Sequence, residues 1–201
     1  MRRHYQKGSR ILLAGAQVAL VLIASLVAQN ARADDKDLWA LLKKPGHFLL
    51  LRHSNAPGDM PEPNSIDLKN CLIQRNLDEA GRAQARRIGD EFRKHGINHV
   101  RLVSSQFCRA LETARLTKLG PVQELPALNM VYRSEPARMK TTAEKTSAFM
   151  KSVSANQLII FVTHVDNILA ISNVTLQSGE MAVVHLDASG SVAVDGRIAV
   201  P

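Results

Sequence analysis

Three short, largely apolar runs constrain this chain more than any other feature. They are FLLL at residues 48–51, VRLVSS at 100–105 and QLIIFVTH at 157–164. Each is too short for a buried helix and lacks polar alternation. They are therefore expected as strands buried on both faces, the habit of parallel sheets. Amphipathic segments separate them. Asp78 is placed to cap a helix through EAGRAQARRIGDEFRKH that Gly96 stops, with Ala85, Ile88 and Phe92 on one face. Residues 106–117, 141–153 (with Ala143, Ala148 and Met150 turned inward) and 166–172 are expected as further helices. A short helix over 34–44 is closed by Pro45-Gly46, and residues 181–200 read as a hairpin turning at Ala188-Ser189-Gly190. The expected fold class is α/β: three layers, with a mainly parallel sheet flanked by helices on both faces.

In such folds ligands bind beyond the C-terminal ends of the strands. The first run ends in Arg52-His53, the second leads through Ser104-Ser105 to Arg109, and the third ends in Thr163-His164. Alone, each residue has an ordinary explanation; Arg109, for example, can pair with Glu112 on the same helix. Together they bring two guanidiniums and two imidazoles to one rim. Arginine forks match phosphate oxygens. One imidazole can attack phosphorus and hold the group covalently, while a second, protonated, steadies the spreading charge. The cations supply charge without a metal or cofactor, and none is expected; no CxxC or His/Cys cluster has metal-ligand spacing.

The first 33 residues carry a basic start, an apolar stretch over residues 11–29 and Ala31-Arg32-Ala33, the pattern of a secretory signal. Residues 1–33 are read as a signal peptide cleaved after Ala33 and 34–201 as one domain. The alternative is an uncleaved anchor in the inner membrane, which would be the chain's membrane contact. The full chain has 26 Lys+Arg against 18 Asp+Glu, but five of the cations precede residue 34, leaving 21 against 18 afterwards. The high isoelectric point is thus largely a property of the leader. No nucleic-acid partner is expected, since basic runs with interleaved aromatics are missing and aromatics make up 4%. Export implies an oxidising compartment, periplasmic or secreted. There, Cys71 and Cys108 form either one disulfide or two buried thiols.

LLLRHSN at residues 49–55 resembles the LRHG signature of the histidine phosphatase superfamily, whose fold is shared with the cofactor-dependent phosphoglycerate mutases. QRNLDEAGRAQARRIG (74–89) is similar to its LTxxGxxQA helix, VSSQFCRALETA (103–114) to its SSxxxRAxETA segment, and FVTHVDN (161–167) to the segment bearing its second histidine. By this resemblance His53 would become phosphohistidine, and Arg52, Arg109 and His164 would complete the phosphate pocket. Ser54 or Asn55 would add a hydrogen bond, and Arg75 would reach the substrate. Cys71 and Cys108 would border the same rim, which favours the disulfide and would pin the substrate loop.

Three departures stand out. Ser54 replaces the usual Gly, Thr163 precedes His164 in place of Gly, and Met130 occupies the slot of the usual proton-donating Glu. Asp166 and Glu135 are the remaining donor candidates. The small, exported, Glu-lacking form resembles the periplasmic branch that includes lipopolysaccharide core heptose phosphatase-like proteins. The expected function is a phosphomonoester hydrolase acting on a small phosphorylated metabolite or phosphosugar. The alternative is a catalytically weak phosphate- or phosphosugar-binding protein on the same scaffold.

Overall fold

The structure, a computed structural model, describes residues 35–59, 66–154 and 156–200. The expected leader and its cleavage after Ala33 lie outside the described residues. Chain order is α1 (Asp35–Leu41), β1 (His47–Arg52), α2 (Glu79–Lys94), β2 (Arg101–Ser104), α3 (Cys108–Thr117), β3 (Val122–Glu124), α4 (Pro136–Ser152), β4 (Ile159–Thr163), α5 (Val165–Ser172), β5 (Met181–Leu186) and β6 (Val192–Ile198). Single 3-10 turns lie at Cys71–Ile73 and Pro126–Leu128. No helix among the described residues is long and apolar enough to cross a membrane.

The six strands form one sheet in the order β3-β2-β4-β1-β5-β6. β3, β2, β4 and β1 run parallel, whereas β5 runs antiparallel to β1 and β6 antiparallel to β5. The three apolar runs are the adjacent inner strands β2, β4 and β1, which explains their lack of alternation. Successive side chains nonetheless point to opposite faces. Leu49 and Leu51 of β1 and Ile160 and Val162 of β4 meet Leu38 and Trp39 of α1, Ile88 and Phe92 of α2, and Ala110 and Ala114 of α3. Phe48, Leu50, Ile159 and Phe161 face the other way, onto Met150 of α4 and Ile168 and Ile171 of α5. The result is the expected three-layer α/β architecture.

Asp78 caps α2 by accepting from the Gly81 amide, and Ala85, Ile88 and Phe92 are fully buried. Two local expectations need correction. α4 starts at Pro136, five residues before the expected position, because proline is well suited to a first helical turn whose amide needs no partner. Its buried stripe is Thr142, Thr146 and Met150; Ala148 is exposed and Ala143 only half-buried. The earlier start places the buried threonines, one turn apart, on the sheet side. β3 is a three-residue, largely exposed edge strand whose sequence, VQE, carries little apolar signal.

Candidate active site

The parallel strands β1, β2 and β4 end on one edge of the sheet, and the chain leaves that edge through polar residues that are almost wholly buried. His53, just past β1, has its amide bonded to the Thr163 carbonyl of β4. Its Nδ1 lies 2.8 Å from the Ser54 carbonyl, so Nδ1 carries the hydrogen and donates. Nε2 accepts from Arg109 Nε at 3.2 Å. The ring is thereby held in the tautomer that keeps a lone pair on Nε2. Burial, then the Arg109 charge, push His53 down to about 3, so it is neutral at ordinary pH.

His164 caps α5, immediately after β4. Its Nδ1 accepts from Arg109 Nη2 at 3.1 Å, which leaves Nε2–H to donate to Ser105 Oγ at 2.8 Å. Ser105 Oγ in turn donates to Asn129 Oδ1 and accepts from the Phe107 amide. Burial and Arg109 hold His164 well below the usual imidazole range.

Arg109, in the first turn of α3, is fully buried. Its other partners are the Met130 sulfur, at 3.1 Å, and the face of the Phe107 ring, 4.8 Å from centroid to guanidinium carbon. Its Nη1 has no partner among the described residues. Every partner of this buried cation is neutral, and burial followed by Arg75 lowers it to about 9. Arg52 donates Nη1 to the Leu176 carbonyl at 2.8 Å, and Arg75 donates Nη1 to the Gly58 carbonyl at 3.4 Å. Each keeps a buried, unpartnered Nε–H. Burial lowers both, Arg52 further through Arg75.

These groups line one cavity of about 170 Å³, with Met130, Val131, Tyr132, Val165 and Asp166 completing the wall. Among the described residues, Asp166 is the one carboxylate lining it, and its Oδ1 accepts from Arg133 Nε at 2.8 Å. Glu135 does not line the cavity; it binds Arg138 and the Tyr132 amide at the start of α4. No group of three His, Cys, Asp or Glu among the described residues could hold a metal ion. A chamber walled by three arginines, two neutral imidazoles and one engaged carboxylate is suited to a compact polyanion.

Five of the expected site residues therefore line the cavity with Asp166: His53, Arg52, Arg109, His164 and Arg75. Ser54 and Asn55 require correction. Ser54 is fully buried, does not line the cavity, and contributes its backbone: its carbonyl orients His53 and its amide donates to Thr113 Oγ1 at 3.0 Å. Asn55 faces α2 instead. Its amide donates to Gln84 Oε1, its side-chain amide binds Asp78, and its carbonyl sits where a Cβ on Gly81 would come within 2.0 Å. Chain direction after β1 decides this: the strand exit crosses the first turn of α2, so the side chains after His53 meet the helix.

Sequence reasoning passed over these supporting groups. Thr113 also donates to the Arg109 carbonyl at 2.7 Å, tying the peptide between His53 and Ser54 to the helix that carries Arg109. Gln84 donates to the Ser178 carbonyl, and Asn167 fixes residues 128–131, donating to the Leu128 and Asn129 carbonyls and accepting from the Val131 amide. Gly81 and Gln84 were visible as motif letters, but only the fold shows what they touch. Cys71 and Cys108 are joined by a disulfide with Cα atoms 5.8 Å apart, and Gln74 Oε1 accepts from the Cys108 amide. The loop carrying Arg75 is thus fastened to the start of α3, one residue from Arg109.

Residues 49–147 match the family described as Histidine phosphatase superfamily (branch 1). Over these residues the chain belongs to the histidine phosphatase superfamily. Membership supports the enzyme class expected from the sequence, a phosphatase. No curated protein matches the chain. Among solved structures it is similar to the protein histidine phosphatase SixA complexed with tungstate, at 17% identity and a TM-score of 0.56, over 76% of this chain and 96% of that one. Phosphoserine phosphatase from Entamoeba histolytica, in complex with 3-phosphoglyceric acid, aligns at 14% identity and a TM-score of 0.55, over 76% and 96% of the two chains. The mycobacterial glucosyl-3-phosphoglycerate phosphatase aligns at 13% and 0.53, over 76% and 98%. At these identities the likeness is one of fold, and it spans nearly the whole length of each of these structures.

Proposed function

We propose that the chain is a metal-independent phosphomonoester hydrolase that works through a phosphohistidine on His53. The observation that carries this reading is Arg109: a fully buried cation whose partners are all neutral, beside an imidazole held with its lone pair toward the same cavity. An uncompensated buried charge is costly unless an anion completes it. A phosphoryl dianion would take the N–H groups of Arg109 and release His53 Nε2 for attack. The amino ends of α3 and α5 lie at the same rim and favour negative charge. Once the anion is bound, its charge favours protonation of His164, which then stabilises the transferring oxygens. Water cleaves the N–P bond and regenerates His53.

Asp166, whose Oδ1 accepts from Arg133, is the proton source this reading assigns to leaving groups that need one. The superfamily relatives named above extend the expectation to small phosphorylated metabolites or phosphosugars. The leader pattern supports export with cleavage after Ala33, which the mass of the protein recovered from the periplasm tests directly.

The test of function is hydrolysis of 4-nitrophenyl phosphate and glycerol phosphate in EDTA. His53→Ala should lower both by at least about 10³-fold, and acid-quenched protein should carry an acid-labile, base-stable phosphate only when His53 is present. Asp166→Asn should slow the alkyl ester more than the aryl one. Full activity in His53→Ala, or none without added metal, overturns the reading. Met130 in the donor slot favours one rival, a phosphate-binding protein: tight phosphate binding with no turnover of either ester would decide for it.

A further inference from the structure

The wall of the cavity carries more positive charge than a phosphomonoester can balance. Arg52, Arg75 and Arg109 are three cations, each with a buried N–H that nothing among the described residues satisfies. Among the described residues the one lining carboxylate, Asp166, is already paired with Arg133. Glu180, the other acid near Arg52, accepts from the Gln177 amide and is not part of the wall. A phosphomonoester brings about −1.5 to −2 at neutral pH. That leaves roughly one cation over.

The leaving-group side is equally unusual. Met130 stands against Arg109 where a donor would be useful, and a thioether gives no proton. An alkoxide leaves poorly without a proton. A phosphate leaves readily, since its second pKa is about 6. The chamber, at about 170 Å³, is below the roughly 300–1,000 Å³ of sites that enclose drug-sized ligands, so it takes a compact charged head and leaves the remainder of the molecule outside.

We propose that the preferred substrates are phosphoanhydrides, diphosphate esters whose terminal phosphoryl group is removed, with Arg75 as the residue that receives the inner phosphate. This rests on the phosphohistidine reading above. A diphosphate ester carries about −3, which three arginines match. His53 Nε2 forms a bond to the terminal phosphorus while the bond from that phosphorus to the bridging oxygen breaks. The electron pair stays on the bridging oxygen, which departs as a phosphate monoester beside Arg75. Water then forms a bond to phosphorus, the N–P bond breaks, and Nε2 recovers its lone pair. The products are the monoester, inorganic phosphate and one proton released to solvent. No proton donor is needed at the bond that breaks.

The experiment compares kcat/KM of the purified full protein for adenosine diphosphate and inorganic diphosphate with that for adenosine monophosphate and glycerol phosphate, beside 4-nitrophenyl phosphate. The diphosphates should exceed the alkyl monoesters by about 10²-fold or more. In His53→Ala, which cannot turn over, methylenediphosphonate should bind at least tenfold tighter than phosphate, and Arg75→Gln in that background should bring the ratio close to one. Met130→Glu, which restores an acid, should narrow the kinetic preference by raising alkyl monoester hydrolysis. If 4-nitrophenyl phosphate is cleaved through His53 yet diphosphates are no better than alkyl monoesters, the substrate class is wrong and the phosphatase reading stands. If nothing is cleaved and neither anion binds, both fall.

Discussion

Replacing Arg109 with methionine should stabilise the ligand-free fold while abolishing anion binding. Arg109 is fully buried, and its pKa falls from 12.5 to about 9. At about 1.36 kcal/mol per pH unit, keeping it charged in the empty site costs about 5 kcal/mol. Against that stand three hydrogen bonds, to His53, His164 and the Met130 sulfur, each contributing about 0.5–1.5 kcal/mol. The unpartnered Nη1 adds nothing favourable. Methionine fills a similar volume without a charge to desolvate, and buried charges exchanged for apolar side chains often leave a fold more stable. The net gain is about 1–3 kcal/mol, a rise in Tm of roughly 3–10 °C for a domain of this size.

The assay is thermal unfolding in phosphate-free buffer, then with increasing vanadate or phosphate. At a hundred times Kd the wild type gains about 2.7 kcal/mol from its ligand; the variant should gain nothing. The two melting curves therefore cross as oxyanion is added. A variant less stable than wild type without oxyanion, or one equally stabilised by it, would refute the view that Arg109 is held at a cost for an anion.

Three further outcomes follow from the same geometry. Folded His53 is held near 3 while an unfolded histidine titrates near 6.5, so the unfolded chain takes up a proton first as pH falls. Stability is therefore complete above about 6.5 and lost on acidification towards about 3; at pH 5 His53 alone costs about 2 kcal/mol, His164 adds in the same direction, and denaturant titrations with phosphate present should show a smaller loss. Gly81→Ala places a methyl against the Asn55 carbonyl, so it should cost about 1–3 kcal/mol in unfolding experiments and lower kcat through His53; a change in Tm with kcat intact would show that the loop's seating on α2 does not reach the nucleophile. Reducing the Cys71–Cys108 bond should raise KM more than it lowers kcat, because it frees the loop bearing Arg75 and leaves His53 seated between Ser54 and β4, as steady-state kinetics with and without dithiothreitol would record.

Much of the fold was legible because the sheet's inner strands cannot hide. Residues 48–51, 100–105 and 157–164 had to be apolar on both faces, and that requirement is visible in any such chain. β3 was illegible for the converse reason. Held at the sheet edge by Leu102, Val103 and Ser104 of β2, its three residues need no apolar pattern of their own. The start of α4 was missed because Pro136 looks like a breaker in a sequence, whereas at a first turn it is a good fit.

The site divides along the same line. Arg52, His53, Arg109 and His164 were legible because parallel strands deliver their last residues to one edge, so position in the chain fixed position in space. Ser54 and Asn55 were not, because adjacency to His53 says nothing about which way the next side chains turn; that was decided by α2, through Gly81 and Gln84. Met130 shows the limit most plainly. The letter alone announces the loss of an acid, which suits a weakened enzyme or an unused pocket equally well. In the fold its sulfur meets a guanidinium that two imidazoles also hold, and Asn167 clamps the backbone on both sides of it. A pocket drifting out of use has no reason to keep one buried and two half-buried arginines without acid partners among the described residues, since burial of each charge weakens the ligand-free fold. The cost of that charge, and not the missing carboxylate, is the evidence that an anion belongs there.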